Sequence, residues 1–196
     1  MAKIKPGKNA TKKDVILEKA SALFRIRGFN AASMRELAEL VGVEAPSLYN
    51  HIGSKSELLH SICFKVANEF TTHFRNVESL SIPVVKKVEN IIRFHISMML
   101  DEFDEVYVAN HEWKHLKEPH LADFLNQRRG YEKRFVSLIE TGIRTKELKS
   151  INPYVGVLTI LSAVRGLEFW QRHKKNVHPG VLEDDMVKHL LKGMVV

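Results

Sequence analysis

Apolar positions recur at three- and four-residue intervals along almost the whole chain, and no stretch alternates apolar with polar over the length of a strand. The pattern predicts an all-α fold. The first helix is expected over residues 11–27, with Ile16, Ala20, Leu23 and Phe24 on its inner face and Gly28 at its end. A second starts at Ser33, where Ser-Met-Arg-Glu has the spacing of a capping box, and it carries Leu37, Ala38 and Val41 inward until Gly42 stops it. A third, short helix follows and ends near Gly53. Pro46 is tolerated in its first turn because the missing amide would lack an intrahelical partner there. Ser54-Lys-Ser-Glu57 is another capping box and launches a long fourth helix, whose Ile62, Val66, Phe70 and Phe74 recur every four residues.

A helix closed by glycine, a tight turn and a short second helix with few apolar positions form a helix-turn-helix, which holds its second helix against a groove. Leu48 anchors that helix inward, with Val43 in the turn. Tyr49, Asn50 and His51 then have no core to enter, and Ser47 joins them outside, so hydroxyl, phenol, amide and imidazole groups cluster within one or two turns. Asn pairs with adenine edges, Ser with several acceptors, and a tyrosine reaches a backbone phosphate or packs on a thymine methyl. Arg35 and Lys55 sit just inside helix starts, where a cation and free backbone amides together grip phosphate.

Five or so further helices are expected from about residue 61, which makes about nine in the whole chain, joined at residues 76–81, 117–119, 146–152 and 173–179. Val85, Val88, Ile92, His95, Ile96 and Met99 share one face of the fifth, and Phe124, Tyr131, Phe135, Leu138 and Ile139 share a face of a later one. Stripes of this kind pack a core more often than they wall a pocket. A helix beginning at Asn152-Pro153 is apolar on more than one face, through Leu158, Leu161, Val164, Leu167 and Trp170, and the last helix carries Met186, Leu190 and Leu191. These two helices are the expected dimer interface, each pairing with its symmetry mate.

Composition adds partner and compartment. Thirty Lys and Arg against 23 Asp and Glu leave a net charge of +7, an excess that suits an anionic partner. Five lysines and no acid among the first thirteen residues read as a basic arm. The single cysteine, Cys63, lies in an apolar stripe and cannot form an internal disulfide, which fits a reducing cytoplasm. Nothing after Met1 resembles a signal-peptide core, and the longest apolar stretch is shorter than the roughly 20 residues a membrane span needs, so a soluble protein with no membrane partner is expected. One motif points elsewhere. His111-Glu112-Trp-Lys-His115 is a literal H-E-x-x-H, which would set two zinc ligands on one helical face with a glutamate base between them. Its extension fails, because Glu118 and Leu121 stand where glycine and a third histidine belong and His120 is one residue out of step. No metal, cofactor or catalytic residue is therefore expected, and a zinc hydrolase is retained only as an alternative.

The stretch from Ser33 to Leu59, with its Leu48-Tyr49-x-His51 followed by Lys55-x-x-Leu-Leu, resembles the DNA-binding segment of the TetR family of bacterial transcriptional regulators, as do Phe24 and Gly28-Phe29 in the first helix. The resemblance implies a basic arm over residues 1–10, a three-helix DNA-binding domain over 11–60, and a larger helical domain over 61–196 that binds a small molecule and dimerises. The partners it implies are a double-stranded, near-palindromic operator, a second copy of the chain and an effector that releases a repressor. Carried onto this sequence, the DNA-contacting set is Ser33, Arg35, Ala45, Pro46, Ser47, Tyr49, Asn50, His51 and Lys55. Asn50 occupies a variable position, and Ala45 replaces a longer polar side chain often found there. The segment His111-Glu-Trp-Lys-His-Leu116, with Arg128-Arg-Gly-Tyr131-Glu and Gly142, is similar to family members that sense acyl-coenzyme A thioesters. That likeness gives His95, Met99, Trp113, Phe124, Arg128, Tyr131, Phe135 and Trp170 as candidate ligand contacts, and Arg128, Arg129, Lys133 or Arg134 as partners for coenzyme phosphates. A ligand-independent architectural DNA binder is the other alternative.

Overall fold

A computed structural model describes residues 11–173 and 177–196; the expected arm at residues 1–10 and part of the join at 173–179 lie outside them. The described residues form ten α-helices: α1 (Lys12–Arg27), α2 (Met34–Val41), α3 (Ala45–Tyr49), α4 (Lys55–Ser79), α5 (Val84–Asp101), α6 (Phe103–His111), α7 (His120–Arg144), α8 (Pro153–Arg165), α9 (Leu167–His173) and α10 (Pro179–Lys192). A single 3-10 turn, Trp113–His115, follows α6, and the only β pairing among the described residues is an isolated bridge between Leu148 and Val195. Counting α8 and α9 as one helix bent at Gly166 gives the nine expected.

The chain divides into two compact units. One holds the residues up to Val66 together with Asp104–Phe124, and the other holds Ala67–Phe103 with Leu125–Val196. The first unit is therefore larger than the expected 11–60 domain. Its added segment is held by side chains: Arg25 pairs with Asp104, Lys65 Nζ lies 3.8 Å from Glu105, and Phe124 packs edge-on to Phe64 at 5.8 Å. Ile16, Ala20, Phe24, Leu37, Leu48, Leu59, Ile62 and Cys63 form its core.

In the second unit α5 is the central element and packs against α8, α9 and α10. It buries Val84, Val88, Ile91, Ile92, Ile96 and Met99, so Val84 rather than the expected Val85 turns inward at its start. The run between the joins at 76–81 and 117–119 is not one helix but breaks at Glu102 (φ −115°, ψ 37°). Asp101, Glu102, Asp104 and Glu105 account for the break: carboxylates are disfavoured at the negative end of α5, whereas Asp104 and Glu105 suit the first turn of α6. Arg93 ties α5 to α10, its Nη1 donating to Glu183 and Asp184 at 2.9 Å.

Candidate functional site

The helix-turn-helix is assembled by local backbone chemistry. Ser33 Oγ accepts from the Glu36 amide at 3.1 Å and Glu36 Oε2 accepts from the Ser33 amide at 2.9 Å, which completes the capping box of α2. Gly42 then turns the chain with φ 77° and ψ 37°, the left-handed region, while its amide and that of Val43 both donate to the Ala38 carbonyl. α3 has no side-chain cap at Glu44 and only five residues, so its stability comes from Leu48, which is fully buried, and from Ile52 just beyond. The helix stops at Tyr49 rather than near residue 53. His51 therefore lies past the helix end, its amide donating to the Leu48 carbonyl at 3.0 Å.

With Leu48 inward, Pro46, Tyr49, Asn50 and His51 face solvent, and Ala45 and Ser47 are half-buried. Tyr49 keeps 49% of its surface exposed in a short helix with no other large apolar group outside. Ser33 is exposed. Arg35 extends into solvent beside Glu39 at 3.5 Å, an exposed pair weak enough for a phosphate to replace. Lys55 is placed differently. Its ammonium donates to the Asn30 carbonyl at 3.1 Å and sits 4.6 Å from the centre of the Phe29 ring, and desolvation lowers its pKa. It braces the turn between α1 and α2 while keeping donors to spare.

The eight candidate ligand residues are drawn from both units. Trp113 and Phe124 belong to the first unit, the other six to the second. In the second unit, His95 Nε2 and the Tyr131 hydroxyl share a hydrogen bond of 2.7 Å inside an aromatic cluster. Phe70 stacks on His95 at 4.4 Å, and Phe74 meets Tyr131 and Phe135 edge-on at 5.2 and 5.8 Å. Burial drives the His95 pKa down to about 3 and pushes that of Tyr131 well up. Met99 and Phe135 are buried, Arg128 is half-buried, and the Trp170 indole N–H is buried without a hydrogen-bond partner. A small cleft of about 170 Å³ opens beside the cluster, lined by Thr71, Phe74, Arg75, Gln127, Gly130, Tyr131 and Arg134. In the sequence Phe70 shows only as part of the apolar stripe of α4, and His73 and Gln127 carry no pattern of their own. His73 lies three residues on from Phe70 on the same helix, so that spacing was the available signal.

The expected dimer set also divides. Leu158 is 50% exposed, and Leu161, Met186, Leu190 and Leu191 are half-exposed. Val164 and Leu167, each 3% exposed, are spent on the chain's own core and have almost no surface left for a second copy. α8 and α9 both pack on α5, and Tyr154, Val155 and Phe169 are exposed apolar groups on them instead.

The H-E-x-x-H stretch is not an α-helical face. α6 ends at His111, and Trp113–His115 is a 3-10 turn, in which the i and i+4 positions of an α-helix no longer align. Glu112 accepts a hydrogen bond from the Phe29 amide at 3.0 Å. Among the described residues no three His, Cys, Asp or Glu side chains converge as metal ligands.

An all-helical chain that presents the short second helix of a helix-turn-helix to solvent is a helix-turn-helix DNA-binding regulator. Residues 16–62 match the family described as bacterial regulatory proteins, tetR family, and residues 81–194 match the tetracyclin repressor-like C-terminal domain. The chain belongs to the TetR family of transcriptional regulators. It is 22% identical over 144 residues to the HTH-type transcriptional repressor KstR2 of Mycolicibacterium smegmatis, an alignment covering 73% of this chain and 70% of that one. The fold is shared with the ketosteroid transcriptional regulator KstR2 of Mycobacterium tuberculosis (TM-score 0.88, 17% identity, 97% of this chain and 98% of that one). It is shared also with AibR in complex with isovaleryl coenzyme A and operator DNA (TM-score 0.79, 22% identity, 91% and 97%). No helix among the described residues is long and apolar enough to cross a membrane.

Proposed function

We propose that two copies of this chain act in the cytoplasm as a repressor on a near-palindromic operator, each inserting α3 into a major groove, and that an acyl-coenzyme A thioester releases them. The observation that carries the DNA reading is the division of α3 and the two residues after it: Leu48 is fully buried while Tyr49, Asn50 and His51 stand outside. Ser33, Arg35 and Lys55 flank it as phosphate contacts. The effector class is supported by the fold shared with the AibR complex and by the second unit itself, where the aromatic cluster around His95 and Tyr131 adjoins a basic helix face carrying Arg128, Arg129 and Lys133. Arg134 is already engaged, since it pairs with Glu78 and lies over the Phe74 ring. The effector releases DNA only by binding one separation of the two reading heads more tightly than the other. The H-E-x-x-H stretch is read as structural, because it leaves the α-helix after His111 and its Glu112 accepts from the Phe29 amide.

Selection of bound duplexes from a random pool, with and without isovaleryl-coenzyme A and longer acyl thioesters, tests the proposal. A near-palindrome should be enriched, its affinity should fall steeply with salt, and one thioester should abolish enrichment. Enrichment that no thioester affects rejects the effector class. Binding without any enrichment makes the chain an architectural binder and rejects the regulator.

A further inference from the structure

The turn between α1 and α2 is held by side chains from distant parts of the sequence. The Phe29 amide donates to Glu112 Oε2 at 3.0 Å, and the Asn30 carbonyl accepts from Lys55 Nζ at 3.1 Å. The Phe29 ring is enclosed as well. Phe24 meets it edge-on at 5.3 Å, the His115 ring stacks on it at 5.4 Å with an interplanar angle of 22°, and Lys55 Nζ lies 4.6 Å from its centre. His115 Nε2 is in turn 3.4 Å from the same Glu112 oxygen that receives the amide, so imidazole and amide together fix the carboxylate. All of these groups belong to the first unit.

We propose that Glu112 is a positioning residue for DNA recognition: through the Phe29 amide it sets the course of the turn that delivers Ser33 and Arg35 to the phosphate backbone and, through α2, places α3. The inference rests on the DNA-reading function above. Gly28, with φ 76° and ψ 152°, occupies a region open almost only to glycine, so the backbone before the turn has wide freedom. The Ala32 amide bonded to the Gly28 carbonyl at 3.2 Å closes the turn and leaves the Phe29 amide to Glu112. The carboxylate therefore fixes the Phe29 backbone, alongside the groups that enclose its ring. Four residues later Ser33 begins the capping box of α2, and α2 packs directly on α3. A shift of the turn moves the reading helix relative to the groove, and base contacts tolerate such a shift less well than contacts to a uniform phosphate backbone. The sequence that mimics a zinc motif thus has another use: a three-residue offset across a 3-10 turn returns His115 to the Glu112 carboxylate and lays its ring on Phe29.

The test uses the full chain with two duplexes of equal length, one selected by the wild-type protein from a random pool and one with that sequence scrambled. Glu112→Ala removes the acceptor and is expected to weaken binding to the selected duplex by about tenfold while leaving the scrambled duplex within about twofold. Glu112→Gln keeps an oxygen for the Phe29 amide and should restore selected-duplex affinity to within about threefold of wild type. His115→Leu keeps apolar cover on Phe29 but removes the nitrogen facing the carboxylate, and it should lose about threefold on the selected duplex alone. This variant decides the matter if Glu112→Ala does not fold. Wild-type affinity in Glu112→Ala, equal losses on both duplexes, a Gln variant as weak as Ala, or an unaffected His115→Leu would each overturn the assignment. Failure of the wild-type protein to select any duplex would instead refute the DNA-reading function.

Discussion

His95 shows how a single residue ties burial to pH. Its ring is stacked on Phe70, bonded to Tyr131 and buried, and desolvation is the main cause of its depressed pKa, with the nearby His73 adding to it. In the unfolded chain the same ring titrates near pH 6.5. As pH falls from about 6.5 to about 3 the unfolded chain takes up a proton that the folded one refuses, so stability is lost across that window with a slope of up to about 1.4 kcal/mol per pH unit. Desolvation depresses His73 and His60 in the same direction. His95→Phe should therefore flatten the acid limb of a stability profile measured by urea unfolding, while costing about 1–3 kcal/mol at neutral pH because the Tyr131 hydroxyl loses its partner. An acid limb as steep as that of the wild type would contradict this assignment. Tyr49 belongs at the same scale. With half its surface exposed it contributes little to the core, so Tyr49→Ala should leave the melting temperature almost unchanged and reduce operator affinity by about tenfold or more.

Among the elements, α3 is the most dependent on its surroundings. Five residues without a side-chain cap do not hold a helix in water, so α3 exists because α2 ends sharply at Gly42 and Leu48 is buried. Gly42 has open space around its Cβ position, and the whole cost of a side chain there is backbone strain at φ 77°. Gly42→Ala should lower stability by about 1–2 kcal/mol, and Gly42→Asn by less, since asparagine tolerates the left-handed region. Equilibrium denaturation midpoints distinguish the two. An alanine variant as stable as the wild type would show that the turn can relax without its glycine.

For the whole molecule, α8 and α9 leave a set of large apolar side chains at the surface. Tyr154, Val155, Leu158 and Phe169 are each at least half exposed, while the opposite face of α8 buries Gly156, Val157, Ile160 and Val164 against the chain's own core. A charge at Leu158 would be desolvated in any interface built on that face. Leu158→Glu should sediment as a monomer at micromolar concentration and bind a full operator no better than a half-site. Sedimentation as a dimer would place the interface elsewhere.

The sequence by itself determined the helices whose signals are local. Ser33 and Glu36, Ser54 and Glu57, Asn152 with Pro153, and the glycines at 28 and 42 act within one turn of backbone, and each falls where the pattern of caps and stops put it. The side of α3 that faces outward was legible for the same reason, since one buried leucine in five residues fixes the rest. What only the tertiary structure decided depends on groups far apart in the chain. The break at Glu102, the partnership of Glu112 with Phe29 across 83 positions, the bracing role of Lys55 and the burial of Val164 and Leu167 all follow from which helices meet. Helical periodicity assigns a residue to a face but not to the neighbour that face will find, and for a carboxylate or an apolar stripe the neighbour sets the role.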